Sequence, residues 1–338
     1  MKKVFLIICV VSLFASCDIF DEIFGTTAQT ETGQNSGGNP PVITEKDEMR
    51  IANIRKRFAA IQDEFPGGLF ITVPTTSPNY TIGKVKPEVL QSGIDRINLI
   101  RYIAGLPDDI VLDDAYTDLC QYGAVLMTAN NGISHTPTKP EDMPQEFYDK
   151  GKNAASSSNI STASEPAGAV NGFVSDASSL ETVGHRRWIL NPQMKKTGFG
   201  VGKDKFVLQY AHDRSRIETV NYDYIAWPSP GVFPSFYVNG IWHITVNTIK
   251  YGRPDINIVR VTVKRTRDGR VWEIYKGVPI TEASLFVDYG GYGINNAIIF
   301  STVLEKFEIY QPGDDYQIKI TGLNEDINYT VKLFDIFQ

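Results

Sequence analysis

The chain has 338 residues, 42% of them hydrophobic and 21% charged, with a formal net charge of −6. That length allows two ordinary domains and a sizeable core. The acidic balance and the lack of any long basic run exclude nucleic acid as a partner, because phosphate binding needs clustered Lys and Arg.

The first segment, MKKVFLIICVVSLFASC, reads as a targeting signal. Lys2 and Lys3 precede an apolar run from Val4 to Phe14, and small residues lead to Cys17. The run is too short to span a bilayer, which takes about 20 residues. FASC resembles a bacterial lipobox, with Phe14 where leucine is usual. On that reading residues 1–17 are a lipoprotein signal peptide, and a lipidated Cys17 anchors the protein to a membrane of the bacterial cell envelope, at the outer membrane or cell surface. The alternative is simple cleavage at a small-residue site, with Cys17 incidental. Cys9 leaves with the signal and Cys17 carries lipid, so Cys120 has no partner and no intrachain disulfide is expected. Cys120 falls in an apolar helical pattern and reads as a small buried hydrophobe.

Residues 18–43 include GTTAQTETGQNSGGNPP, a polar, Gly/Pro-rich stretch that lacks the apolar surface to order itself and reads as a tether. From Thr44, a natural N-cap, Ile51, Ile54, Phe58, Ile61 and Phe65 recur at helical spacing. They predict a helix of about five turns, stopped by Pro66-Gly67-Gly68 and packed on the main body, within an extension over 44–84. Pro87 opens a second helix that ends near Gly105. Asp113 or Asp114 starts a third, with Leu112, Tyr116, Leu119, Gly123 and Met127 along one face. A short helix and a Ser/Ala-rich stretch follow. After TGFGVG (197–202) the apolar period shifts to two. Strands are read in KFVLQYA, GIWHITVNTI, NIVRVTVKRTRDGRVWEIYKG, NAIIFSTV, DYQIKITGL and INYTVKLFDIF, with a hairpin turn at Arg267-Asp268-Gly269. Strands at this spacing without helices between them predict a β-sandwich over 214–338.

Two of the four histidines stand in pocket-like contexts. His185 heads GHRRWIL, where it shares a helical face with Trp188 and Ile189. His135 follows a helix stop in NNGISHTP, where loops often carry function. For either one alone, a hydrogen-bonded structural role is the commoner outcome. His212 in a loop and His243 on the polar side of a strand are weaker candidates. No G-x-S-x-G or H-E-x-x-H motif is present. The aromatic segment YDYIAWPSPGVFPSFYVNGIW (222–242) is expected to seal the joint between the two parts, or else to present aromatic faces to a partner.

INLIRYIAGLPDDIVLDDAYTDLCQYGAVLMTANNGISH, followed about fifty residues on by GHRRWILNPQMKKTGFGVG, resembles the CAP superfamily of cysteine-rich secretory, antigen 5 and pathogenesis-related proteins, in its bacterial disulfide-free branch. The resemblance covers roughly residues 85–205. It implies an α+β fold, an α–β–α sandwich over 85–213 with an open cleft. In the family two histidines and two acids face that cleft, and in some members they hold a divalent cation. The histidines carry over to His135 and His185. The first acid belongs in a GEN motif, and here Lys152 or Ser158 stands in its place; the second carries over to Asp176. Glu181, four residues before His185, and Ser134, beside His135, complete the candidate cleft.

The expected function is that of an exported, monomeric envelope lipoprotein whose cleft binds a small polar ligand, glycan, peptide or lipid, with no obligate cofactor. The alternatives are a metal-assisted hydrolase acting through zinc or another divalent cation on His135, His185 and Asp176, and an adhesin built on the aromatic segment.

Overall fold

The computed structural model describes residues 43–338. The signal segment, Cys17 and nearly all of the tether lie outside the described residues. None of the helices within them is long and apolar enough to cross a membrane.

Helix α1 (Glu45–Ala60) opens with a capping box: Thr44 Oγ1 accepts from the Asp47 amide at 3.2 Å, and the Asp47 carboxylate accepts from the Thr44 amide at 3.1 Å. It ends earlier than the sequence implied. Ile61 turns extended and buries its side chain, and Phe65 packs from irregular chain. Ile54 and Phe58 form the buried face. Arg50 donates to the open carbonyls of Tyr102 and Ile103, and Arg55 to the carbonyl of Asp335. Asp47 pairs with Lys332 at 3.0 Å. The extension therefore straps the helical part to the last strand.

After the short strands β1 (Phe70–Thr72) and β2 (Lys84–Val85) comes α2 (Pro87–Ala104), with proline in its first turn and Gly105 closing it in the left-handed region. Strand β3 (Val111–Leu112) leads to α3 (Asp114–Asn130), whose N-cap is Asp113. Helix α4 (Gln145–Ser157), strand β4 (Ser158–Ser161), α5 (Pro166–Ser175) and α6 (Gly184–Ile189) follow. Strands β5 (Lys196–Thr197), β6 (Phe199–Val201) and β7 (Val207–Tyr210) complete this half. Strand β5 pairs with β3, and the central sheet runs β4-β7-β6, antiparallel.

Alternation along the central sheet separates two cores. Leu208 and Ile160 join Cys120, Ala124, Val125, Phe147 and Ala154 of α3 and α4. Phe199, Val201 and Val207 join Ile94, Ile97, Val170 and Phe173 of α2 and α5. The result is the expected helix–sheet–helix layering. Gly200 is required by the close approach of β6 to α3, because a Cβ there would overlap the carbonyl of Cys120. Helix α3 buries more than the expected stripe: Cys120, Gln121, Ala124, Val125 and Leu126 are covered, while Tyr116 and Leu119 are only half-buried. It lies between the sheet and α4, so one face does not suffice. The Ser/Ala-rich stretch is more ordered than expected; it supplies the end of α4, all of β4 and the approach to α5.

The C-terminal half is β-rich. Strands β8 (Tyr224–Trp227), β9 (Gly231–Pro234), β10 (Ile241–Val246), β11 (Arg260–Arg265), β12 (Val271–Ile274), β13 (Ala283–Asp288), β14 (Ala297–Thr302), β15 (Asp315–Thr321) and β16 (Ile327–Phe334) form two sheets. Their orders are β13-β14-β10-β8 and β12-β11-β15-β16-β9. A single helical turn, α7 (Thr248–Tyr251), follows β10. The sheets share one core, in which Trp242 meets Tyr316 edge-on at 5.4 Å. Strands β8, β9 and β13 carried no clear sequence signal. Strand β9 is an edge strand parallel to β16 that ends in Pro234, a position where a missing amide is tolerated.

The aromatic segment is buried. Trp227, Phe233, Tyr237 and Trp242 are covered, and Phe236 sits in a cluster with Phe58 and Phe337. It seals the joint and presents no aromatic platform to a partner, which removes the basis of the adhesin reading.

Candidate functional site

Asp176 closes α5 in the left-handed region (φ 49°), a conformation that aspartate tolerates better than most residues. Its carboxylate is fully buried. One oxygen accepts from His185 Nδ1 at 2.8 Å, and the other accepts from the Arg186 amide at 3.2 Å. In the neutral imidazole the first bond fixes the tautomer: Nδ1 carries the proton and Nε2 keeps its lone pair. The ring stacks on Phe173 at 5.7 Å and remains 28% exposed.

Val183, immediately before α6, has φ of 42°, unusual for a β-branched residue. It is held there by burial against Ala297 and Ile299 of β14. The two arginines of the GHRR segment tie α6 down further. Arg186 is fully buried and donates to the carbonyls of Val174, Ser175 and Ile241. Burial lowers its pKa to about 10, against the opposing pull of Asp176. Arg187 pairs with Asp288 and donates to the carbonyls of Thr182, Gly290 and Ile294. Each such charge-assisted bond contributes about 1.5–3 kcal/mol when its partner is satisfied. The C-terminal half thus sets the position of His185.

His135 lies in the loop after α3, which stops with Asn131 in the left-handed region. Its Nδ1 donates to the Ala155 carbonyl near the end of α4 at 2.7 Å. The same tautomer results, with Nε2 again free, and this ring is exposed. Ser134 is engaged in a local turn, its Oγ accepting from the Thr136 amide at 3.0 Å. Glu181 sits in the turn before α6, exposed, and makes no bond to His185. The helix starts only at Gly184, so the four-residue spacing does not align the two side chains. Neither position that replaces the first acid offers a ligand: Lys152 points to solvent on α4, and Ser158 turns inward to Cys120 Sγ at 3.5 Å.

The structure adds residues that sequence reasoning missed. Asn159, beside Ser158, donates to Gln209 at 2.9 Å and reaches the His185 carbonyl at 3.4 Å. Gln209 donates in turn to Thr197 Oγ1 at 2.7 Å. This buried polar ladder runs across the central sheet beneath His185. His212 meets Trp188 at a tilt, 4.6 Å between ring centres, and stands 6.5 Å from Tyr210, whose ring lies on Tyr116 at 3.8 Å. Partial burial, then Arg214, then His135 hold the His212 pKa below the usual imidazole value. His212 therefore lies against Trp188 of α6, a place that its irregular loop did not signal. His243 is corrected outright. It is fully buried in the middle of its sheet, beside Arg186, and no face of its strand is open to solvent there.

A divalent cation held by His135, His185 and Asp176 does not fit these residues. Both Asp176 oxygens are already committed, in a position closed to solvent. Among the described residues no group of three His, Cys, Asp or Glu side chains is placed to hold a metal. Two imidazoles with free Nε2 atoms are left, suited to accepting hydrogen bonds from a ligand.

Comparisons with the curated proteins and with the solved structures give no match. A family model does match, over residues 94–210: the cysteine-rich secretory protein family, CAP. It covers α2 from Ile94 through β7, the three layers that carry both site histidines. This part of the chain is a CAP domain, followed by a β-rich half that holds its GHRR helix in place.

Proposed function

We propose that the protein is an exported binding module, tethered to a membrane of the cell envelope through Cys17. Its CAP cleft receives a small polar ligand, such as a glycan, peptide or lipid head group, between His135 and His185. The observation that carries this reading is the shared state of the two rings. Each commits Nδ1 to an acceptor of the fold and, in the neutral ring, leaves Nε2 as a free acceptor in a position open to solvent. Ligand hydroxyls and amides are the groups that satisfy such atoms. The incomplete metal set favours binding over metal-assisted hydrolysis. A ligand screen read by thermal shift, run on the intact protein and on the His135→Ala/His185→Ala double variant, tests it. Hits that stabilise the first and not the second are expected. Hits that stabilise both equally would place the function elsewhere.

A further inference from the structure

A broad hollow lies apart from His135 and His185, where the CAP domain meets the β-rich half. Its volume is about 610 Å³, and its walls come from the end of the GHRR segment, the connecting chain after β7, the turn after β10 and the loop before β14. We propose that it binds a short peptide ending in a free carboxylate. This site is independent of the cleft reading and does not require it.

Three observations point to that chemistry. Arg214 is held in the wall by bonds from Nη1 to Gln193 Oε1 at 2.7 Å and to the Gly293 carbonyl at 3.1 Å, and it lies over the Trp188 ring at 5.8 Å. Among the described residues no carboxylate pairs with it, so a fixed guanidinium faces the hollow with donors to spare. Its neighbour Arg216 is neutralised by Asp109 and Glu218. The side-chain amides of Asn295 and Asn296 also border the hollow and make no hydrogen bond to the described residues. An amide offers both a donor and an acceptor, the pair that a peptide unit needs. Ile217 and Ile249 are 93% and 94% exposed, the most exposed large apolar side chains in the structure, and both stand on this rim. Two such residues on the rim of a single hollow mark a surface that an apolar side chain covers.

The walls are preorganised. Gly293 has φ of 80°, and a Cβ there would press on Asn191 and Trp188, so the loop before β14 must run close against the GHRR segment. Aliphatic rims favour peptide side chains over sugar rings, which prefer exposed aromatic faces.

The test uses the full chain and a fluorescein-labelled Gly-Ala-Leu-Ala-Leu peptide, as the free acid and as the C-terminal amide, read by fluorescence anisotropy. The free acid is expected to bind about tenfold tighter than the amide. Arg214→Gln should reduce the acid to the affinity of the amide and leave the amide unchanged, while Arg214→Lys retains part of the difference. The Ile217→Ser/Ile249→Ser variant, altered only at exposed positions and so expected to fold, should weaken both peptides about tenfold. Three outcomes overturn the proposal: no binding of either peptide at about 1 mM; equal loss of acid and amide in Arg214→Gln; or displacement by glucuronate as effective as by unlabelled peptide, which would assign the hollow to acidic sugars.

Discussion

His243 makes the stability of the joint between the two halves depend on acidity. Its ring is fully buried on β10, Nδ1 accepts from Arg186 at 3.5 Å, and Nε2 has no partner. Burial first, then Arg186 and Arg187, hold its pKa well below the usual 6.5, so the ring is neutral in the folded state. The unfolded chain takes up a proton that the folded chain refuses, and stability therefore rises with pH in this window. The contribution is fully present above about 6.5 and is lost as pH falls from there toward the lowered folded value. From pH 7 to 5.5 one such group costs about 1.3 kcal/mol, with a limiting slope of about 1.4 kcal/mol per pH unit. In His243→Asn the side-chain oxygen can still accept from Arg186, and nothing titrates. Urea unfolding at pH 7 and 5.5 should show the wild type losing about 1.3 kcal/mol more than the variant. His212 is shifted in the same direction but is common to both proteins, so it drops out of the difference. Equal losses in the two proteins would refute the argument, because the buried ring would then contribute nothing to the proton balance.

Asp176→Ala removes two hydrogen bonds and places alanine in the left-handed region, a loss of about 3 kcal/mol in urea unfolding. Asp176→Asn keeps the backbone preference and one acceptor, so it should cost about half as much; equal costs would show that the carboxylate bonds do not hold α6. Gly200→Ala is expected to cost about 3 kcal/mol or to abolish folding, since the new methyl overlaps the Cys120 carbonyl; a normal urea midpoint would contradict the close approach of β6 to α3. Burial pushes the Cys120 thiol up to about 12. At pH 8, mass spectrometry of the Cys120 peptide should show iodoacetamide labelling roughly a thousandfold slower in the folded protein than in urea. Labelling at similar rates would mean that the thiol is open to solvent.

The helices of the CAP domain were legible because their signals are local, whereas its helix–sheet–helix layering came only from the family resemblance. Pro87 and Gly105 bound a helix by their own backbone preferences, and Thr44 and Asp113 cap two others with their side chains. The glycines of TGFGVG register the tight contact of β6 with α3. In the C-terminal half the strands that went unread, β8, β9 and β13, lack clean alternation or carry proline, and pairing across the sheet decides them. His243 was misread for a related reason. An alternating strand predicts one wet face only if that face stays uncovered, and here it packs beneath α6.

The site divides along the same line. His135 and His185 stand out in sequence because each sits beside a helix boundary that is itself readable, and Asp176, shortly after Phe173, enters only through the family resemblance. What fixes their tautomers does not stand out. The carbonyl of Ala155 is backbone and carries no residue signature, so the bond that leaves His135 Nε2 free is invisible in the chain. Asn159, Gln209 and Thr197 come from three separate segments and meet only when β4, β7 and the chain before β6 align. The burial of Arg186 depends on carbonyl partners on α5 and β10, which are backbone and carry no residue signature. The sequence thus names the two rings, while the tertiary contacts decide which nitrogen each ring offers. A polar-ligand cleft depends on that second fact: had either fold-side acceptor been a donor, Nε2 would carry the proton and the ring would present the opposite hydrogen-bonding character to any guest.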